Sequence, residues 1–250
     1  MPSPPGTPLP RIACFHGSGS NSQVMNFQCT RLLLSLQADF ELVFFDGPFP
    51  RPAGPGVLPV FEDMGPFNSW FNGTAATAER ADGSGWDEAG TDGVERAFRL
   101  MLEEESAAAG EEGGRGEWVA ALGFSQGSRV VAGMLLDQQR RAEQGVRERP
   151  IKFRFGVLCC GSGRPMRSAV TTQAGDLKDE IVHLPTLHLH GLQDPFLKNG
   201  RDQYAKYFEH DKAVLCEIDY HHAMPWKTPD VERFAKLLRQ MYSDTTARQK

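Results

Sequence analysis

Trp118–Leu136 reads WVAALGFSQGSRVVAGMLL, an apolar run that passes through Gly123-Phe124-Ser125-Gln126-Gly127 straight into a stretch with apolar residues at helical spacing. The pattern predicts a strand, a sharp turn and an amphipathic helix, with Ser125 at the apex of the turn. Glycines on both sides are needed because a Cβ at either position would collide with the neighbouring strand or helix. The strained apex lifts the Ser125 hydroxyl above the sheet, at a helix N-terminus whose dipole favours developing negative charge. Gly-x-Ser-x-Gly alone carries little weight in a chain with 26 glycines. The strand before it and the helix after it make it specific.

A chain of 250 residues fits one large α/β domain better than two independent ones. At that size folding buries roughly 70–75% of the surface the unfolded chain exposes, so a deep site that excludes water is within reach. The formal net charge is −5 and Lys and Arg are scattered, which speaks against a nucleic-acid partner. The opening MPSPPGTPLP has neither a charged leader nor an apolar core. No segment approaches the ~18 continuous apolar residues of a membrane span, so the expectation is a cytoplasmic protein. The cysteines Cys14, Cys29, Cys159, Cys160 and Cys216 are odd in number and lack Cys-x-x-Cys spacing. They read as reduced thiols packed in a core, neither a disulfide framework nor a metal site.

Outward from the serine turn, strand-like and helix-like segments alternate. Arg11–Phe15 reads as a buried strand, Phe40–Phe45 as a second short apolar run, Phe153–Cys160 and Pro185–Leu189 as continuous apolar strands covered on both faces, and Val214–Ile218 as a last strand. Helices are predicted over Ser22–Gln37 (with Val24, Phe27, Leu32, Leu33 and Leu36 as its apolar stripe), Val94–Ser106, Asn199–Glu209 and Asp230–Tyr242, besides the one after Ser125. This alternation indicates a doubly wound, mostly parallel sheet. Residues 1–10 form a Pro-rich leader, 11–242 the domain and 243–250 a tail. Within the domain, 47–93 is rich in Pro and Gly but also holds Phe49, Phe61, Phe67, Trp70, Phe71 and Trp86. Disordered segments are aromatic-poor, so this reads as an inserted loop region over the active site.

A serine hydroxyl is a poor nucleophile at neutral pH; it needs a histidine to take its proton and a carboxylate to hold that imidazole in the useful tautomer. Asp194 follows the strand at Pro185–Leu189, and the pair His221-His222 follows the strand at Val214–Ile218. Ser, then Asp, then His is the chain order of a serine triad on a doubly wound sheet. His188 and His190 alternate on one strand without a third ligand at a recognisable spacing, so packing is expected for them and no metal.

The motifs His16-Gly17-Ser18-Gly19-Ser20-Asn21, Phe45-Asp46-Gly47-Pro48, Gly65-Pro66-Phe67, Gly123-Phe124-Ser125-Gln126-Gly127, His190-Gly191-Leu192-Gln193-Asp194-Pro195 and His222-Ala223-Met224-Pro225 occur in an order that resembles the fungal family-serine-hydrolase group. That group, within the α/β-hydrolases, is similar to the ovarian-cancer-associated serine hydrolase and to thioesterases that release polyketides. The resemblance runs from about Arg11 to Tyr242. It implies an α/β-hydrolase fold, a triad of Ser125, Asp194 and His222, and no cofactor. The family has glycine before its catalytic histidine where this chain has His221; the His-x-x-Pro spacing to Pro225 selects His222. The oxyanion hole is expected from the backbone N–H of Gln126 and one from the loop after the first strand, Ser18 with Gly19 as the alternative.

The expected chemistry is hydrolysis of a small-molecule acyl ester or thioester through an acyl-enzyme, with Phe67 and Trp70 binding the acyl group. The resemblance points to release of a polyketide or acyl chain from the acyl-carrier domain of a polyketide synthase. A general carboxylesterase, or a non-catalytic binding protein on the same fold, is the alternative.

Overall fold

Every residue of Trp118–Phe124, Phe155–Cys159 and Thr186–Gly191 is buried. A strand with no exposed side must be covered on both faces, which is the situation of a parallel sheet between two helical layers. The computed structural model describes residues 8–71, 92–107, 114–173 and 180–247 and shows that arrangement. Its elements are β1 (Arg11–Phe15), α1 (Ser22–Gln28), α2 (Thr30–Leu36), β2 (Glu41–Phe45), β3 (Phe49–Pro50), β4 (Asn68–Ser69), α3 (Asp92–Ala107), β5 (Trp118–Phe124), α4 (Gln126–Gln144), β6 (Phe155–Cys159), α5 (Ala169–Gln173), β7 (Thr186–Gly191), α6 (Leu197–Tyr207), β8 (Ala213–Ile218) and α7 (Thr228–Ala247).

The main sheet has the order β2-β1-β5-β6-β7-β8, and every neighbouring pair is parallel. Alternate residues of one strand supply opposite cores. On one face Val157 and Leu122 pack with Leu32, Leu36, Phe234 and Leu238 of α2 and α7. On the other, Leu158 and Ala121 pack with Phe98, Met101, Val131 and Leu135 of α3 and α4. After β2 the chain returns past β1 and continues in the opposite direction, so the order reverses between β1 and β5. Crossovers leave such a point on opposite faces, opening a crevice at the carboxyl ends of the two strands. The Ser125 turn and the His16–Asn21 loop both sit there.

Several boundaries differ from the sequence expectation. Ser22–Gln37 is two helices, because Cys29 takes φ −89° and ψ 0° and bends the chain. The bend lets Met25 and Leu32 both reach the core and turns Phe27 outward, 61% exposed, onto Phe61 with ring centroids 5.5 Å apart. Phe27 is therefore not part of the apolar stripe. The last helix continues through the expected tail as far as Ala247, with Thr245 buried. Part of the 47–93 region is built: β3 and β4 pair antiparallel, Phe49 opposite Ser69. Residues 72–91 of that region, Trp86 among them, lie outside the described residues.

Candidate active site

The turn between β5 and α4 is as tight as its glycines imply. A Cβ on Gly123 would overlap the Gly127 carbonyl, and one on Gly127 would overlap the Phe15 carbonyl at the end of β1. Between them Ser125 takes φ 52° and ψ −118°, a conformation non-glycine residues rarely adopt. Its own backbone holds it there. The Ser125 N–H donates to the Cys159 carbonyl at 2.8 Å, and the Ser125 carbonyl accepts from the Ser128 hydroxyl at 2.7 Å. A Cβ built on Gly17 would lie 3.2 Å from the Ser125 Cβ, so the Gly17-Ser18 peptide runs directly against the serine.

Asp194 and His222 come from the loops after β7 and β8, which are stitched together by main-chain bonds. Leu192 N–H donates to the Ile218 carbonyl and Gln193 N–H to the Tyr220 carbonyl, each at 2.8 Å. That stitching sets His222 Nδ1 2.7 Å from Asp194 Oδ2. Asp194 Oδ1 accepts from the Phe196 N–H at 2.8 Å. Burial works against ionising Asp194, but the His222 hydrogen bond and charge, the Phe196 N–H and the Cys160 thiol outweigh it and hold its carboxyl below the usual value. His221 points elsewhere: it is exposed, its Nδ1 3.4 Å from the Gln193 carbonyl. The His222 ring is flanked by Phe124 and Phe196, with centroids 5.0 and 5.3 Å away.

Asp194 commits Nδ1 of His222, which leaves Nε2 as the position able to accept a proton. Cys160 Sγ lies within 4.8 Å of ligand atoms of both Asp194 and His222, but the three do not suit a metal ion. Two ligands on a tetrahedral zinc sit roughly 3.3 Å apart, whereas His222 Nδ1 and Asp194 Oδ2 are joined at 2.7 Å. Burial, reinforced by the Asp194 charge, pushes the Cys160 thiol up to about 12. It therefore stays protonated beside the carboxylate.

Gln126 is buried at the head of α4 and Ser18 lies beside the serine. The Gly19 N–H donates to the Asn68 carbonyl at 2.9 Å and is engaged. Phe67 is half-buried against the small cluster of Val24, Val57 and Phe61. Trp70, expected at the substrate, is instead fully buried, its ring 5.2 Å from Phe15 and 5.3 Å from His16. It has no exposed face for an acyl group, because its ring packs against Phe15 and His16 and its Nε1–H is bonded to the His16 carbonyl. Sequence reasoning missed Phe196 and Cys160. Both had a readable signal, since each stands at or just beyond the carboxyl end of a strand that feeds the crevice.

Residues 7–234 match the family described as serine hydrolase (FSH1). The chain belongs to this family. It is 34% identical over 248 residues to a probable esterase of Aspergillus terreus, covering 96% of this chain and 91% of that protein. It is 33% identical over 248 residues to the esterase pigG of Monascus ruber, covering 89% and 88%. Among solved structures it is similar to acyl-protein thioesterase 2 of Zea mays, with a TM-score of 0.58, 16% identity and 96% of each chain covered. At that identity the likeness establishes the α/β-hydrolase fold alone. Family and fold together make the chain a serine hydrolase with esterase relatives.

Proposed function

We propose that Ser125, Asp194 and His222 form the catalytic triad of an ester or thioester hydrolase. The observation that carries this reading is the 2.7 Å bond from His222 Nδ1 to buried Asp194, on loops at the same sheet edge as the Ser125 turn. His222 Nε2 takes the Ser125 proton as Oγ bonds to the substrate carbonyl carbon. The N–H groups of Ser18 and Gln126 hold the oxyanion; Gly19, with its N–H engaged, is set aside. The imidazolium returns the proton to the departing alcohol or thiol, and Asp194 stabilises its charge meanwhile. A water deprotonated by His222 then releases the acid and restores Ser125.

The substrate assigned is an acyl thioester carried by a polyketide-synthase carrier domain, as the resemblance implies; the fungal relatives, named esterases, support the coarser reading of an acyl ester hydrolase. Phe67, in the aromatic inserted segment, is the proposed acyl contact, and the chain is taken to work in the cytoplasm. Ser125→Ala is expected to abolish fluorophosphonate labelling and turnover together. A set of acyl thioesters and p-nitrophenyl esters of graded length then separates the two substrate types. A preference for acetyl p-nitrophenyl ester over all long thioesters would discard the carrier-bound substrate and leave a carboxylesterase.

A further inference from the structure

The two N–H groups assigned to the oxyanion belong to distant parts of the chain, Ser18 beyond β1 and Gln126 at the head of α4. Their separation must hold to a few tenths of an ångström for both to reach one oxygen. The segment Asn68–Trp70 touches both sides. Toward the Ser18 loop, the Asn68 carbonyl accepts from Gly19 N–H at 2.9 Å, and Asn68 N–H donates to the Ser20 carbonyl at 2.7 Å. The Trp70 indole Nε1–H donates to the His16 carbonyl at 2.9 Å. Toward α4, the Gln126 side-chain Oε1 accepts from the Trp70 N–H at 2.9 Å and from the Ser69 hydroxyl at 3.0 Å. Trp70, Ser69 and Gln126 are 0, 1 and 2% exposed, so water cannot replace the bonds that Trp70 and Ser69 make to His16 and Gln126.

From this geometry we infer that Trp70 is a positioning residue of the oxyanion hole. Its main-chain and indole N–H groups clamp the Gln126 and Ser18 donors at a fixed distance. The indole donor, the Ser69 hydroxyl and the Gln126 carbonyl are the side-chain groups of the clamp; the bonds of Asn68 to Gly19 and Ser20 are main chain. The inserted segment therefore shapes the catalytic centre by bridging the loop after β1 and the head of α4. The inference rests on the serine-hydrolase chemistry proposed above.

Trp70→Phe keeps an aromatic ring against Phe15 and His16 and deletes the indole N–H, together with part of the buried ring volume. A displaced donor weakens the transition state and leaves ground-state binding alone. The variant is expected to lose about tenfold in kcat, less than the ~10²–10³ of a deleted donor, with KM unchanged. The factor is expected to be the same for acetyl and octanoyl p-nitrophenyl esters. Gln126→Met, which keeps the main-chain N–H and removes the shared acceptor, is expected to give the same kcat-only loss, and it decides the matter if Trp70→Phe does not fold. Wild-type kcat in both variants, or a loss in KM that grows with acyl length, would overturn the clamp. Ser125→Ala run in parallel keeps the two ideas apart: turnover in that variant sinks the nucleophile assignment whatever Trp70 does.

Discussion

His222 Nδ1 and Asp194 Oδ2 lie 2.7 Å apart although 27 residues separate them in the chain. The Leu192 and Gln193 N–H groups bond to the carbonyls of Ile218 and Tyr220, so the two loops move as one piece. Proton transfer is sensitive to such placement, because a misaligned base loses orders of magnitude without any change in binding.

Asp194→Asn keeps the shape of the side chain but offers an N–H where the carboxylate accepted one, so His222 turns to the unproductive tautomer. A kcat loss of about 10³–10⁴-fold with little change in KM is expected. Steady-state kinetics on one p-nitrophenyl ester measure it. A loss under tenfold would remove Asp194 from the triad.

The adjacent histidines differ in position, and their variants are expected to differ in kcat. His222→Ala should cost on the order of 10⁴-fold or more in kcat. His221→Ala removes an exposed ring and is expected to stay within a few-fold of wild type. The reverse ranking would reassign the base.

Although Cys160 lies beside the catalytic pair, its thiol is buried and held protonated by burial and the Asp194 charge. A protonated thiol is a poor nucleophile. Iodoacetamide at pH 8 is expected to leave turnover intact while a fluorophosphonate removes it. Inactivation by iodoacetamide that tracks labelling of Cys160 would contradict this environment.

His16 predicts how stability depends on acidity. Burial pushes its pKa from 6.5 down to about 4, against the opposing hydrogen bond to the Gly17 carbonyl and the charge of Asp46. Between those values the unfolded chain binds a proton that the native protein does not, so stability rises with pH across the window and falls as acid is added. The full span is worth about 3 kcal/mol. His188, pushed down by burial and by its histidine neighbours, adds to the same slope. Urea midpoints measured from pH 4 to 7 are expected to climb with pH, and less steeply in His16→Gln. Equal slopes in the two proteins would mean that His16 protonates without unfolding. Since His16 Nε2 accepts the Gly47 N–H at 2.8 Å, its protonation also breaks a bond in the His16 loop.

Sequence alone was sufficient for the features that depend on local pattern. The continuous apolar runs at Trp118–Phe124, Phe155–Cys159 and Thr186–Gly191 read as covered strands and are buried throughout, and the glycines flanking Ser125 read as a turn where strand and helix meet. The order of Ser125, Asp194 and the histidine pair already outlined the chemistry. The bend at Cys29 was not legible, because apolar spacing is the same for one helix as for two that share a core. Between His221 and His222 the resemblance chose His222 by its spacing to Pro225, but the contact of its Nδ1 with Asp194 depends on bonds between loops that are neighbours only in space. Trp70 illustrates the limit most clearly. Its aromatic, Pro-rich surroundings suggested a substrate wall, but an indole serves equally well as core and as rim. Only the folded chain, by pairing Asn68 with the β1 loop and offering buried acceptors on His16 and Gln126, decided that this one faces inward.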